Sequence, residues 1–171
     1  MLRQMSVVMS GPEALRAVAS LAAKQAPSVR SGRRASSGRI LLAVDETALD
    51  ALVDVIAMLP GSTRGQVFIE VASDDDIVPL DSPELVAVAW LTRESRSGNP
   101  GTSRRCAHGQ ALERAVTAWV SEMHTGDIEL DGGELTAWVQ GSGTRIHELR
   151  QQLIGQLGAI SDSDSTSEYA R

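Results

Sequence analysis

The sequence predicts an α/β protein: a doubly wound, mostly parallel sheet with helices on both faces and an accessory helix near the N-terminus. Two observations carry that expectation. Short, unbroken apolar runs such as Arg39 to Val44 (RILLAV) are what strands buried on both faces look like. Segments with helical spacing alternate with them, and strand–helix alternation winds into a parallel sheet.

The elements follow in order. Gly11 to Gln25 reads as a helix, with Pro12 at its first position, Glu13 in its first turn, and Leu15, Val18, Leu21 and Ala22 on one face. The Ser/Gly/Arg stretch Ser28 to Gly38 is a flexible basic linker. After the Arg39 strand, Asp45 to Leu59 reads as a helix with a stripe of Leu49, Leu52, Val53, Ile56 and Leu59, stopped by Pro60-Gly61. Gln66 to Val71 and Leu85 to Leu91 are strand-like, and the acidic stretch Ser73 to Pro83 separates them. Thr92 to Arg105 is a polar loop. Helical spacing returns at Ala111, Leu112, Ala115, Val116 and Trp119. Leu135 to Val139 is another strand, and Arg145 to Leu157 the last helix. The Ser/Asp-rich tail from Ser161 reads as disordered, at best a frayed final strand. The expected division is an accessory segment (1–27), the linker (28–38), the main domain (39–160) and a polar tail (161–171). The expected strand order is 3-2-1-4-5, counting from the Arg39 strand.

Composition narrows the function. The chain has 171 residues, 42% of them apolar, and a formal net charge of −6. That is one domain's length, with enough apolar material for a sizeable core. No apolar run is long enough to span a membrane and no leader-like segment follows Met1, so a cytoplasmic protein is expected. Cys106 is the only cysteine, which excludes disulfide frameworks and thiolate metal clusters. Five aromatic residues are too few for a nucleic-acid stacking platform. Residues 1–39 hold seven basic groups against Glu13 alone, while the rest is strongly acidic and would repel phosphate backbones. The basic arm is then either a solvated linker attracted to its own domain or a partner-binding feature.

In a doubly wound sheet ligands bind beyond the carboxyl ends of the strands. Asp45, Glu46 and Thr47 open the helix after the first strand, with Asp45 suited to cap it. No glycine is there, so it is not a phosphate loop. A phospho-receiver is excluded as well, because no lysine lies beyond Lys24. Gln140-Gly141-Ser142-Gly143-Thr144 leads from a strand into a helix, a turn that either receives an anionic group or is simply capped by Ser142. His147-Glu148 lacks a second zinc ligand, since Gln151 stands where one is needed. The three histidines read as solvated or capping side chains. Cys106 lies beside Arg104 and Arg105, which would lower its pKa. Asp74 to Asp76 read as a solvated acidic loop rather than a calcium site.

Leu41 to Leu49 (LLAVDETAL), Ile69-Glu70-Val71, Val88 to Arg93 (VAWLTR), Trp138 to Gly141 (WVQG), Leu149-Arg150 and Ser167 to Arg171 together resemble siderophore-interacting proteins. The similarity is to the C-terminal, NAD(P)H-binding domain of these flavin-dependent ferric-siderophore reductases, relatives of ferredoxin reductases with a Rossmann-like fold. The family's Gly-Asp-Glu-Thr-Ala-Leu-Pro is matched by Asp45 to Leu49, with Val44 for the glycine and Asp50 for the proline. Ser142 stands for the glutamate of the family's Trp-x-Ala-Gly-Glu. The family's flavin-binding barrel precedes this domain, and only 38 residues precede it here, so FAD is not expected on this chain alone.

The resemblance implies NAD(P)H as cofactor, held by Asp45, Glu46 and Thr47, by Arg93 and Arg96, and by the Gly141, Ser142, Gly143 and Thr144 turn. Carboxylates there would accept ribose hydroxyls, the guanidiniums would pair with phosphate, and the turn would offer N–H groups. Asp74 to Asp76 would disfavour a 2′-phosphate, whereas Arg93 and Arg96 would favour it. The expected function is an NAD(P)H-binding module in ferric-siderophore reduction, working with a flavin-bearing partner chain. The alternative is a non-catalytic interaction or regulatory module on the same fold, with the basic arm and the Arg96–Arg105 loop as partner-binding features.

Overall fold

A computed structural model describes residues 5–8, 39–125 and 135–157. The chain order is β1 (Met5–Val8), β2 (Arg39–Asp45), a 3-10 turn (Glu46–Ala48), α1 (Leu49–Ala57), β3 (Arg64–Val71), a 3-10 turn (Asp74–Asp76), β4 (Val86–Thr92), α2 (Gln110–Thr125), β5 (Leu135–Gln140) and α3 (Thr144–Leu157). The strands form one sheet in the order β1-β5-β2-β3-β4, every pair parallel. The predicted accessory helix, linker and tail lie outside the described residues.

The four strands from β2 onward stand in the predicted order. The fifth place, beside β5, is taken by Met5–Val8 at the other end of the chain. The sequence alone predicts no strand there, because four residues hold too short an apolar run to show a period.

Each inner strand is buried on both faces, which explains its unbroken apolar run. From β2, Ile40, Leu42 and Val44 join Leu52, Val55 and Ile56 of α1 in one core. Leu41 and Ala43 face the other way, against Leu112 and Val116 of α2 and Ile146, Leu149 and Leu153 of α3. Each such buried aliphatic side chain contributes about 1.5–3 kcal/mol relative to exposure. None of the described helices is long and apolar enough to cross a membrane.

The chain steps outward from β2 to β3 to β4 and then returns across the sheet to β5. This return sets the carboxyl ends of β2 and β5 side by side, where Asp45 and the Gly141–Gly143 turn meet, the switch point outside which doubly wound sheets bind ligands.

Candidate functional site

Four strand ends supply the site. The last residue of β2, Asp45, is fully buried yet saturated with donors. Its Oδ1 accepts from the N–H of Thr47 at 2.9 Å and from the Thr47 hydroxyl at 2.6 Å. Its Oδ2 accepts from the N–H of Ser142 at 2.7 Å and from the Ser142 hydroxyl at 3.3 Å. His108 Nε2 lies 3.0 Å from the same oxygen. Asp45 thus caps the turn before α1, as its position predicts, and also ties β2 to the β5–α3 turn. Ser142 serves Asp45 in that arrangement.

Glycine is required in the turn. Gly141 has φ +150°, and a Cβ there would stand 2.6 Å from the Asp45 carboxylate. Gly143 has φ +87°, and its bare backbone lies against the His108 ring, 3.2 Å from Nδ1 to where a Cβ would be.

A second buried carboxylate, Glu70, sits near the end of β3. It accepts the N–H groups of Gly109 and Leu112, at 2.5 Å and 2.8 Å, and so holds the N-terminus of α2. Arg93, just past β4, pairs bidentately with Glu46 at 2.7 Å on both nitrogens and reaches Glu70 at 3.3 Å. The Arg93 hydrogen bond holds the Glu46 carboxyl below its ordinary pKa, against a smaller opposing effect of burial. Arg93 is correspondingly held more firmly protonated, chiefly by Glu46.

Of the residues the sequence singles out, Asp45, Glu46, Thr47, Arg93, Gly141, Ser142, Gly143 and Thr144 gather at this edge of the sheet. Arg96 stands apart, exposed in the loop after β4, where it lines a groove of about 440 Å³ with Cys106 and Arg114. That loop is folded rather than merely polar. Arg114 of α2 donates to the carbonyls of Ser97 and Gly98, and Ser97 bridges Arg105 antiparallel.

Two expectations are corrected. His108 is not merely a solvated or capping side chain, because it pairs with Asp45. No sequence spacing signals this, since the partners are distant in the chain. Cys106 is buried, and desolvation raises its thiol pKa; the guanidiniums that oppose this are Arg114, Arg96 and Arg145, not the Arg104 and Arg105 expected to lower it. The Asp74–Asp76 loop is exposed as expected, and Ser73 and Asp76 brace it with a capping box.

An unused polar inventory remains at the end of β5. Gln140 Oε1 is buried with no hydrogen-bond partner among the described residues. The first-turn N–H groups of α3, at Thr144 and Arg145, have no intrahelical acceptor. Glu46, the outermost carboxylate, is 37% exposed.

Comparison with known proteins matches residues 37–169 to the siderophore-interacting protein family. The uncharacterized proteins Rv2895c of Mycobacterium tuberculosis and Mb2919c of Mycobacterium bovis are each 30% identical over 134 residues, covering 77% of this chain and 44% of theirs. The crystal structure of a siderophore utilization protein from T. fusca superposes with a TM-score of 0.50 at 25% identity, over 77% of this chain and 47% of that one. The chain therefore spans about half the length of the relatives it matches.

Proposed function

The chain belongs to the siderophore-interacting protein family, and from that premise we propose that it is an NAD(P)H-binding module associated with ferric-siderophore reduction and iron release. A separate flavin-bearing partner completes the system. The observation that carries this reading is the unspent polar inventory at the end of β5, where the buried Gln140 acceptor has no partner among the described residues. A buried acceptor left unmatched costs about 1–3 kcal/mol, and a ligand that brings a donor removes that cost.

These residues fit a dinucleotide. The N–H groups of Thr144 and Arg145 sit at the positive end of α3, suited to a pyrophosphate. Glu46, with lone pairs beyond those given to Arg93, is the carboxylate placed to accept ribose hydroxyls. Asp45 is buried and saturated, so its part is to hold the Ser142 turn and His108 in position. Gly141 and Gly143 keep the turn's backbone bare. NAD(P)H supplies a hydride when bound, and its acceptor in this reading is the partner's flavin. Supply of that reductant places the module in the cytoplasm.

One observation favours the second reading, an interaction or regulatory module on the same fold. Three carboxylates already occupy donors that phosphate would use: Asp45 on Ser142, Glu70 on the start of α2, and Glu46 on Arg93. Calorimetric titration with NADPH and with NADH separates the two. The proposal expects saturable binding of at least one at micromolar to millimolar concentration. A folded chain that takes up neither in that range leaves the second reading in place.

A further inference from the structure

β4 ends the sheet, and the described residues leave its outer edge open. The N–H of Gly65 donates to Leu85 and that of Arg93 to Val71, so the odd-numbered residues of β4 face β3 and the even-numbered ones face outward. The two outer ends are closed by local turns. Val86 donates to Pro83 and receives the Ser82 hydroxyl, while Ser95 donates to the Thr92 carbonyl. Val88 and Trp90 remain, each presenting an N–H and a C=O with no acceptor or donor among the described residues.

Natural edges are usually protected by lysine, proline or a bulge. β4 reads Val-Ala-Val-Ala-Trp-Leu-Thr, without charge or proline. Val88 and Trp90 are only half-buried against the α1-side core, and Ala87 is exposed. Ile77, Val78 and Leu85, in the segment leading into β4, are 42%, 42% and 47% exposed, three of the five large exposed apolar side chains among the described residues.

We propose that a second copy of this chain docks here, the two β4 strands pairing antiparallel about a two-fold axis at Ala89. This register alone brings the open residues together at both places: Val88 of each copy faces Trp90 of the other, and the pair exchanges N–H and C=O. On the α1 side, Val88 stacks against the second copy's indole, an aromatic–β-branched cross-strand pair. On the other side Ala89 meets Ala89, and Ala87 of each copy meets Leu91 of the other. Charge agrees with the same arrangement. Antiparallel pairing lays the loop after β4, with Arg96, Arg104 and Arg105 against Glu94, beside the other copy's approach to β4, with Asp81 and Glu84. The interface is isologous, closing as a dimer.

Sedimentation velocity on the full chain over a range of concentrations tests this, in low and high salt. The expected result is a reversible dimer that weakens as salt rises. Val88→Pro removes an outward N–H together with the Val88 side chain and abolishes the dimer. Ala87→Lys, at an already exposed position, does the same without touching the β3 ladder, so a folding defect in the first variant leaves the second to decide. Amide exchange of residues 86–92 slows with concentration in the wild type and not in the variants. A monomer at every concentration, which leaves the edge to some other strand or to none, overturns the proposal. So does a dimer that survives Ala87→Lys.

Discussion

Glu46 and Arg93 show how one ion pair sets a pH dependence. The Arg93 guanidinium lowers the Glu46 pKa from its ordinary 4.5. A carboxyl whose folded pKa is depressed contributes stability that is fully present above its unfolded value. That contribution is lost as pH falls through the unfolded value toward the folded one. Glu46→Gln removes the titration while keeping the shape. Wild type is therefore expected to melt at a higher temperature than Glu46→Gln at neutral pH, with the gap closing as the solution is acidified below about pH 4. Thermal unfolding of both proteins across that range checks it, and a gap that stays constant to low pH contradicts it. Half of the pair is exposed to solvent, so the gap is small.

At the scale of elements, the buried glutamate of β3 matters most. Glu70 satisfies two N–H groups at the start of α2 and braces Arg93. Glu70→Ala strands those two donors, each costing about 1–3 kcal/mol, so a loss of roughly 2–6 kcal/mol in denaturant unfolding is expected. Exchange in the first turn of α2 rises most. A loss under about 0.5 kcal/mol, the scale of a neutral surface substitution, contradicts this account of the helix start.

The elements also show what sequence makes legible. The strands β2 to β5 and the helices α1 to α3 were readable because a run buried on both faces and a stripe at helical spacing are local patterns. Asp45 as a cap was readable for the same reason, its donor being Thr47, two residues on. The links from Asp45 to Ser142 and His108, and from Glu70 to Gly109 and Leu112, cross the sheet between distant positions, and no local pattern reports them. β1 was invisible because its pairing with β5 makes it a strand, not its four residues. The Cys106 thiol was misjudged because its basic neighbours in sequence do not set its surroundings in space, where burial outweighs the guanidiniums that do lie near it.

For the whole molecule, the turning back of the strand order from β4 across β2 to β5 puts the site's glycines and its two buried carboxylates together at the carboxyl ends of the strands. Those ends are where the proposed NAD(P)H site lies, and the open β4 edge proposed for self-association runs along the side of the sheet. The two proposals are independent, since the first concerns the ends of strands and the second a flank. The most direct test of the central claim is amide hydrogen exchange of the full chain with and without saturating NADPH or NADH, at a protein concentration held constant. The account predicts slowed exchange at residues 141–146 and at Glu46 and Thr47, with residues 86–92 unchanged. No protection at the end of β5, or protection confined to another part of the surface, would contradict it.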